Sequence, residues 1–305
     1  MACQHCCTNA SFEIDSDEFV FSDEKLIKKR IEEMLSFGVK EFYLSGGEPF
    51  LVENLFTIVR LLKKRRVIVS IATNGFCLNR EIIKQLSEMK VDMLHVSLDG
   101  HLPDIHNALR GGNFFHKVVE NLQLIKSYKI PLRIGCIIWK RNENFLEKMV
   151  EFCENLRIKE LRFSWLIKVG RFQRNPKIYP RRKWIEVMQE IQKLRDKYKN
   201  KVKISIHRNP FLQNSHLSIC PGGEKLFFLN PKGQLSPCSW IVKIDPSFLT
   251  NHSLKQKKFR ELVFSKEIEK FRRIVHKRKQ LHLQGCPFIS RYEYNSYFSN
   301  DTPKL

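Results

Sequence analysis

Short apolar runs alternate with longer amphipathic stretches along the first half of the chain. The runs have the length of β-strands and lie at Glu41 to Leu44, Val67 to Ala72, Met93 to Leu98, Leu132 to Ile138 and Glu160 to Leu166. Between them, apolar residues recur every three or four positions, as on one face of an α-helix. Because strands that alternate with helices form a parallel sheet with right-handed crossovers, this order predicts an α/β fold.

Polar side chains follow several of these strands at the point where each strand ends. Glu48, Asn74, Ser97 and Asp99 occupy such positions. The carboxyl ends of parallel strands meet at one rim, which is where barrel enzymes place their active sites. We therefore expect these side chains to line one site.

Composition indicates a class of protein and a compartment. With 305 residues, of which 42% are hydrophobic and 28% charged, the chain has the makeup of a soluble globular protein. It has no apolar run of the length that spans a bilayer, so we expect no membrane association and a cytoplasmic location. Nine cysteines in a reducing cytosol favour metal or cluster ligation over disulfides.

The net charge is strongly positive. Lysine and arginine total 54 against 32 acidic residues, which gives a formal charge of +22. Such an excess is typical of proteins with an anionic partner, here RNA or an acidic peptide. The lysines are also spread along the predicted helices, as on ordinary solvated faces. The charge therefore leaves nucleic-acid binding open without favouring it over a peptide partner.

Two short motifs indicate a more specific class of protein. The first strand runs into Ser45-Gly46-Gly47-Glu48-Pro49, and the N-terminus carries Cys3-Gln4-His5-Cys6. Together they resemble the radical S-adenosylmethionine (radical SAM) superfamily, in which a CxxxCxxC motif holds a [4Fe–4S] cluster and a GGEP-type turn binds the amino group of SAM. The resemblance implies a partial (β/α)6 barrel as the fold of this region.

The cysteine motif is incomplete at its start. Cys3 and Cys6 match the last two cysteines of CxxxCxxC, and the first would lie two residues before Met1, together with the first strand of the barrel. We expect a chain that begins at an internal methionine, and the loss of one cluster ligand is the alternative. Cys7 is expected to be a neighbour of the cluster. A zinc site built from Cys3, His5, Cys6 and Cys7 is a further alternative.

The resemblance also implies cofactor contacts along the rim. Binding of the methionine ammonium group would fall to Gly46, Gly47, Glu48 and Pro49. Asn74, Ser97 and Asp99 would lie along the SAM-binding groove. Arg110 would meet the methionine carboxylate as a charge-assisted donor, or else stand at the start of an ordinary surface helix.

The C-terminal third carries a second set of cysteines. Cys220 and Cys238 flank a predicted hairpin with Gly233 at its turn, and Cys286 follows a basic helical stretch. This spacing resembles the twitch and SPASM domains, and it implies an auxiliary [4Fe–4S] cluster on Cys220, Cys238 and Cys286. The alternative is a hairpin that is kept for packing and holds no cluster.

The chain is thus predicted to have three parts. A radical SAM partial barrel, without its first strand, occupies 1–169, and a basic linker with a bridging helix and strand occupies 170–215. A small twitch/SPASM-like α+β domain occupies 216–305.

The remaining cysteines differ in their surroundings. Cys136 and Cys153 lie within apolar patterns and are expected in the core. Cys77 follows Asn74-Gly75-Phe76 near the rim and is a candidate donor of a hydrogen atom to a substrate radical.

The resemblance implies an enzyme. In this superfamily, one-electron reduction cleaves SAM to methionine and a 5′-deoxyadenosyl radical, with an electron from a donor such as flavodoxin or ferredoxin. This branch of the family takes a hydrogen atom from a peptide or protein, often a ribosomally made one, in crosslinking, epimerisation or side-chain oxidation. The alternatives are action on RNA or on a small metabolite, and a non-catalytic truncated product without an intact cluster site.

Overall fold

The computed structural model describes residues 3–7, 22–167, 169–206, 220–283 and 286–299. The predicted loop 8–21 lies outside the described residues, as do 207–219 at the junction of the second and third predicted parts and Gln284 and Gly285 before Cys286. The chain forms two compact units. One takes in Met1–Glu13 and Lys40–His207, and the other takes in Ile14–Val39 and Arg208–Leu305.

The first unit is built on a parallel sheet of six strands in sequence order. The strands are β1 (Glu41–Leu44), β2 (Ile68–Thr73), β3 (Met93–Ser97), β4 (Leu132–Ile138), β5 (Glu160–Trp165) and β6 (Lys203–Ile206). The helices of this unit are α2 (Leu55–Lys64), α3 (Arg80–Glu88), α4 (Pro103–Arg110), α5 (Phe115–Ser127), α6 (Leu146–Asn155) and α7 (Trp184–Tyr198). The predicted α/β class and partial (β/α)6 barrel are confirmed.

Alternation along the strands separates two faces of this sheet. Leu94 and Val96 of β3 and Leu161 and Phe163 of β5 are at most 1% exposed. Burying one such side chain contributes about 1.5–3 kcal/mol relative to leaving it in water. The residues between them, such as His95, are only partly buried and point to the opposite face of the strand. We refer to that opposite face as the inner face of the sheet.

The barrel continues beyond the boundary predicted at residue 169. Strand β6 pairs in parallel with β5, with Leu161 beside Ile204. Helix α7 connects the two and buries Val187 and Ile191 completely. The predicted helix and strand at these positions exist, but they extend the sheet and are not a bridge to another domain. The apolar side chains of α7 and the pairing of β6 therefore place 184–206 with the sheet in this structure.

The second unit combines one early helix with the C-terminal part of the chain. Helix α1 (Glu24–Ser36) belongs to it, although its position in the sequence predicts a barrel helix. Arg30 of α1 donates to the Leu254 carbonyl at 2.7 Å, and Glu33 accepts from the backbone N–H of Phe259 at 3.0 Å. These buried polar contacts explain why α1 packs with residues far along the chain.

The rest of this unit is a short hairpin with three helices. Strands β7 (Phe228–Leu229) and β8 (Leu235–Ser236) pair antiparallel around Gly233, which has φ of +81°. The helices are α8 (Phe259–Val263), α9 (Lys266–Gln280) and α10 (Pro287–Tyr294). The predicted hairpin is therefore present. Across the described ranges of both units, no helix is long and apolar enough to cross a membrane.

A candidate active site at the carboxyl ends of the strands

The turn after β1 points a carboxylate at the end of β2. Gly46 has φ of +148°, a conformation that disfavours any residue with a Cβ. Glu48 follows, and its side chain accepts from the Thr73 hydroxyl at 2.7 Å and from the Asn74 backbone N–H at 2.8 Å. Pro49 is buried and starts a short 3₁₀ turn, so the exit from the turn is rigid. The Glu48 carboxylate is therefore held between the ends of two neighbouring strands.

The environment of Glu48 raises its pKa. Burial is the largest cause, and the hydrogen bonds from Asn74 and Thr73 oppose it in part. A desolvated carboxylate that keeps its charge gains more from an approaching cation than one in bulk water. Glu48 is thus suited to accept hydrogen bonds from an ammonium group.

The loop after β2 is fixed by hydrogen bonds of its own. Thr73 accepts from the Gly75 N–H at 3.0 Å, and the Asn74 side chain accepts from the Phe76 N–H at 2.8 Å. Asn121 of α5 donates to the Gly75 carbonyl at 2.8 Å. Gly75 has φ of +77°, and a Cβ there would lie 2.7 Å from Val96. The loop therefore holds Asn74, a predicted SAM contact, at the rim.

Cys77 lies just beyond this loop and is partly buried. Burial, and to a lesser extent the charge of Glu48, raises the pKa of its thiol. At neutral pH the sulfur therefore keeps its proton. A protonated thiol is the form that the predicted hydrogen-atom donor requires.

A buried ion pair joins the segment just after β3 to the last residue of α4. Asp99 is fully buried and receives the Nε–H of Arg110 at 2.6 Å. Its other carboxylate oxygen accepts from the Ile137 backbone N–H at 2.9 Å, and its own N–H donates to Nδ1 of His106 at 3.1 Å. Asp99 thus orients Arg110, and its predicted contact with SAM stays a prediction.

The positive charge of Arg110 keeps the buried Asp99 carboxyl ionised. Burial by itself would raise the pKa of the Asp99 carboxyl, but the charge of Arg110, with smaller effects of His5 and His106, holds it below its ordinary value. Burial lowers the pKa of His106 to about 4, so that ring is neutral at physiological pH. The pair therefore stays ionised in the folded protein.

The N-terminal cysteine loop meets the same group of residues. Nη1 of Arg110 lies 3.9 Å from Sγ of Cys3. The Gln4 backbone N–H donates to the Leu109 carbonyl at 3.1 Å, and the Gln4 side-chain amide donates to the Ala108 carbonyl at 2.8 Å. The loop is therefore attached to the C-terminal end of α4, next to the ion pair.

Two residues after β5 support this loop from the other side. Arg171 donates its side chain to the Cys3 carbonyl at 2.8 Å and its backbone N–H to the Cys6 carbonyl at 2.9 Å. Gly170 has φ of +65°, and a Cβ there would lie 2.6 Å from the Cys6 carbonyl oxygen. No sequence signal predicts these contacts, because they join residues that are about 165 positions apart and Arg171 resembles any other member of a basic stretch.

Cys3 and Cys6 stay the predicted thiolate ligands of a [4Fe–4S] cluster, and the chemistry of their surroundings suits that role. Both are partly buried, and the Arg110 guanidinium beside Cys3 is a cation of the kind that stabilises a thiolate. His5 does not extend this donor set to zinc. It is partly buried, and no three His, Cys, Asp or Glu side chains within the described ranges are arranged around a metal position.

The C-terminal cysteines lie at three separate places in the second unit. Cys238 accepts from the Trp240 backbone N–H at 3.4 Å, and burial raises the pKa of its thiol. Cys220 precedes the hairpin and Cys286 caps α10. In the described part of this unit these side chains do not form a metal-binding group. The auxiliary cluster stays a prediction.

Comparison with known proteins identifies the family. The family model described as "Radical SAM superfamily" matches residues 1–153. The AdoMet-dependent heme synthase of Methanosarcina barkeri is 25% identical over 95% of this chain and 85% of its own length. The subtilosin biosynthesis protein AlbA of Bacillus subtilis is 23% identical over 80% of this chain and 53% of its own. A probable GTP 3′,8-cyclase of Sulfolobus acidocaldarius is 29% identical, and the match covers 50% of it.

Solved structures share the fold. Native anSMEcpe, with AdoMet and the Cp18Cys peptide bound, superposes with a TM-score of 0.69 and 19% identity over 99% of this chain and 90% of that one. Streptococcus suis SuiB, bound to its precursor peptide SuiA, gives a TM-score of 0.72 and 13% identity over 89% of this chain and 63% of SuiB. At these identities the likeness shows a common fold.

Proposed function

We propose that this chain, which belongs to the Radical SAM superfamily, uses S-adenosylmethionine to modify a peptide or protein. Enzymes of the superfamily use a [4Fe–4S] cluster and SAM. The observation that carries the proposal is the convergence of Glu48, Arg110 and the Cys3–Cys6 loop at one rim of the sheet. Peptide-bound anSMEcpe and SuiB and the bacteriocin protein AlbA support a peptide as the substrate.

In this proposal the rim residues bind SAM through its amino acid part. Glu48 accepts the ammonium group, while Gly46 and Gly47 present bare backbone that lets the ligand approach closely. Asn74 and Ser97 line the groove at the ends of β2 and β3. Arg110, already oriented by Asp99, supplies a positive charge for the carboxylate of SAM. Pro49 keeps the Glu48 turn from moving when the ligand leaves.

Cys3 and Cys6 are the proposed thiolate ligands of the cluster. When bound, the cluster supplies the electron that cleaves the sulfonium bond of SAM. The chain's own contribution is positional. Arg171 and Gly170 hold the loop by its carbonyls, and Arg110 balances the negative charge at Cys3.

Cys77 is proposed as the donor that quenches the substrate radical. Its S–H bond would break as a C–H bond forms on the substrate, which leaves a thiyl radical on Cys77. One electron from the reducing partner, which we take to be a flavodoxin or ferredoxin in the cytoplasm, and one proton from water would restore the thiol. The raised pKa keeps the proton on sulfur until the transfer.

The main alternative is a small metabolite as the substrate. The match to AdoMet-dependent heme synthase extends over nearly the whole of both chains, whereas the match to AlbA covers about half of AlbA. RNA is a further alternative for a chain with a formal charge of +22. Neither changes the proposed roles of the rim residues, because those residues act on SAM.

The test is a substrate screen with the reconstituted protein under anaerobic reduction. One arm contains peptides encoded beside its gene, a second contains haem precursors, and a third contains total RNA. We expect 5′-deoxyadenosine to rise above the substrate-free level only in the peptide arm, together with a change in peptide mass or stereochemistry. A rise confined to another arm would overturn the peptide proposal and leave SAM cleavage intact.

The iron content tests the predicted auxiliary cluster separately. Replacing Cys220, Cys238 and Cys286 together by alanine would remove about four irons per chain if they ligate a second cluster. An unchanged iron content would show that the hairpin is a packing unit.

A further inference from the structure

Ionic side chains occupy the inner face of the sheet. In one row across the strands, His95 of β3 lies beside Arg133 of β4, which lies beside Glu160 of β5. Tyr43 of β1 contacts His95 with their ring centroids 5.1 Å apart. Arg162 follows two residues after Glu160 on the same face. We call Tyr43, His95, Arg133, Glu160 and Arg162 the inner-face cluster.

The single carboxylate of this cluster, Glu160, already has cationic partners. Glu160 accepts from Nε of Arg133 at 2.7 Å, and its second oxygen lies 3.7 Å from Nζ of Lys203. Burial, with the charges of Arg133 and Arg162, lowers the pKa of His95 to about 4, so its ring is neutral at physiological pH. The inner-face cluster therefore contains two guanidinium charges and one carboxylate, an excess of one positive charge.

The excess positive charge of the inner-face cluster lies on Arg162. Its Nε is buried and has no hydrogen-bond partner among the described residues. A buried guanidinium donor without an acceptor costs free energy, because it has given up water and gained nothing in exchange. Burial and the charge of Arg133 also lower the pKa of Arg162, because both disfavour a positive charge at this place. An anion placed against Arg162 would remove this cost.

There is room for an anion between Arg162 and the SAM groove. Ser97, Gly135 and Arg162 form one row across β3, β4 and β5. A Cβ on Gly135 would meet no heavy atom of the described residues within 4 Å, so they leave the space above the middle strand open. Since neighbouring strands are ~4.8 Å apart, the Cα atoms of Ser97 and Arg162 lie about 10 Å from each other. A small group bound to Arg162 would therefore lie next to the proposed SAM contact Ser97.

We propose that Arg162 binds a carboxylate of the substrate, with Gly135 providing the space for the carbons attached to it. A planar carboxylate matches the fork of a guanidinium group and can take both Nε–H and a terminal N–H. The carbons next to the carboxylate then lie over β4, on the Ser97 side of Arg162. The inference rests on the proposed function, since it supplies the substrate class for the same site.

The experiment follows the Nε–H signal of Arg162 by NMR in full-length reconstituted protein labelled at arginine. Acetate is the probe, and SAM is present so that its own groove is filled. We expect a saturable shift of the Arg162 signal that chloride at equal ionic strength does not produce. No shift beyond that of chloride would overturn the proposal. A shift with acetate alone that disappears when SAM is added would assign the site to the carboxylate of SAM and would overturn it as well.

A variant and its control measure the contribution of the charge. In Arg162→Gln, the acetate affinity, followed on the His95 ring signal, should fall by about tenfold or more, a change of ~1.4 kcal/mol or more. The matched control Arg60→Gln removes an exposed arginine of α2 and should leave the affinity unchanged. Equal affinities in both variants would contradict the proposal. The titration of the unmodified protein decides the question even where Arg162→Gln folds poorly.

Two peptides separate the sources of the carboxylate. Acetyl-triglycine presents a C-terminal carboxylate, and amidated acetyl-Gly-Glu-Gly presents a side-chain carboxylate. The peptide that shifts the Arg162 signal at the lower concentration identifies the kind of carboxylate that the site recognises. If acetate shifts the signal and neither peptide does, the site is limited to small acids. No turnover is required. A protein that binds carboxylates but modifies no peptide would count only against the proposed function.

Discussion

Nε of Arg110 donates to Oδ2 of Asp99 at 2.6 Å, with Asp99 fully buried and the Arg110 side chain 10% exposed. This pair joins the end of β3 to the last residue of α4. Because α4 also accepts the hydrogen bonds of Gln4, the pair lies directly under the cysteine loop. One buried interaction therefore supports both the predicted SAM groove and the predicted cluster ligands.

Asp99→Asn should destabilise the protein strongly. The substitution leaves the guanidinium of Arg110 buried without a charged partner, which costs about 3–5 kcal/mol of unfolding free energy. The measurement is urea denaturation at neutral pH. Asp104→Asn, an exposed residue in the first turn of α4, is the control and should cost less than about 1 kcal/mol. Similar losses in the two variants would show that the buried pair does not stabilise this rim.

Glu48→Gln should weaken SAM binding without unfolding the protein. A charge-assisted hydrogen bond contributes about 1.5–3 kcal/mol, so the dissociation constant should rise by about tenfold or more. Equilibrium dialysis with labelled SAM measures it. Glu53→Gln, on the exposed segment just after the turn, is the matched control and should bind SAM like the unmodified chain. Unchanged affinity in Glu48→Gln would exclude Glu48 as the ammonium acceptor.

The same carboxylate predicts how SAM binding depends on pH. Glu48 attracts an ammonium group only when ionised, so affinity is present above its pKa and is lost as the pH falls through it. Burial raises this pKa, so the loss should begin at a higher pH than an exposed glutamate would require. The dissociation constant measured from neutral pH downward gives the profile, provided that the fold is checked at each pH. In Glu48→Gln this part of the profile should be flat.

Gly170→Ala should displace the cysteine loop. The new methyl group would overlap the carbonyl oxygens of Cys6 and Cys7, at 2.6 and 2.7 Å, and φ of +65° is strained for alanine. We expect less iron per chain after anaerobic reconstitution, measured by colorimetric iron assay. Gly135→Ala, where a Cβ meets no described atom within 4 Å, should keep its iron. Full iron content in Gly170→Ala would mean that the loop adapts at no cost.

The sequence predicts the local features of the sheet well. The strands and the residues at their ends follow from apolar periodicity and from short turns such as Gly46-Gly47, which depend on neighbours in the chain. It does not predict which surface an amphipathic helix packs on. Helices α1 and α7 were both recognisable as helices, yet α1 packs in the second unit and α7 in the barrel. The contact of Gly170 with Cys6 is of the same kind, because long-range partners leave no trace in local spacing.

The last prediction concerns α1 and the second unit. Arg30 is buried, donates to the Leu254 carbonyl at 2.7 Å and pairs with Glu33 at 2.6 Å, while Glu33 in turn accepts from Phe259. Replacing Arg30 by methionine keeps much of the aliphatic packing but leaves the buried Leu254 carbonyl without this donor and Glu33 without its cation. An unsatisfied buried group costs about 1–3 kcal/mol, so the second unit should lose about that much stability while the barrel keeps its own.

Hydrogen exchange read by mass spectrometry can separate the two units in the full-length chain. In Arg30→Met, amides of α1 and α8 should exchange faster, and those of β2 to β5 should exchange as before. Lys29→Met changes an exposed neighbour on the same helix and should alter neither. If the barrel strands were to exchange faster together with α1, the helix would be a barrel element after all, as its place in the sequence predicts. If only α1 and the segments that it contacts lose protection, Arg30 is the residue that fixes an early helix to the C-terminal part of the chain.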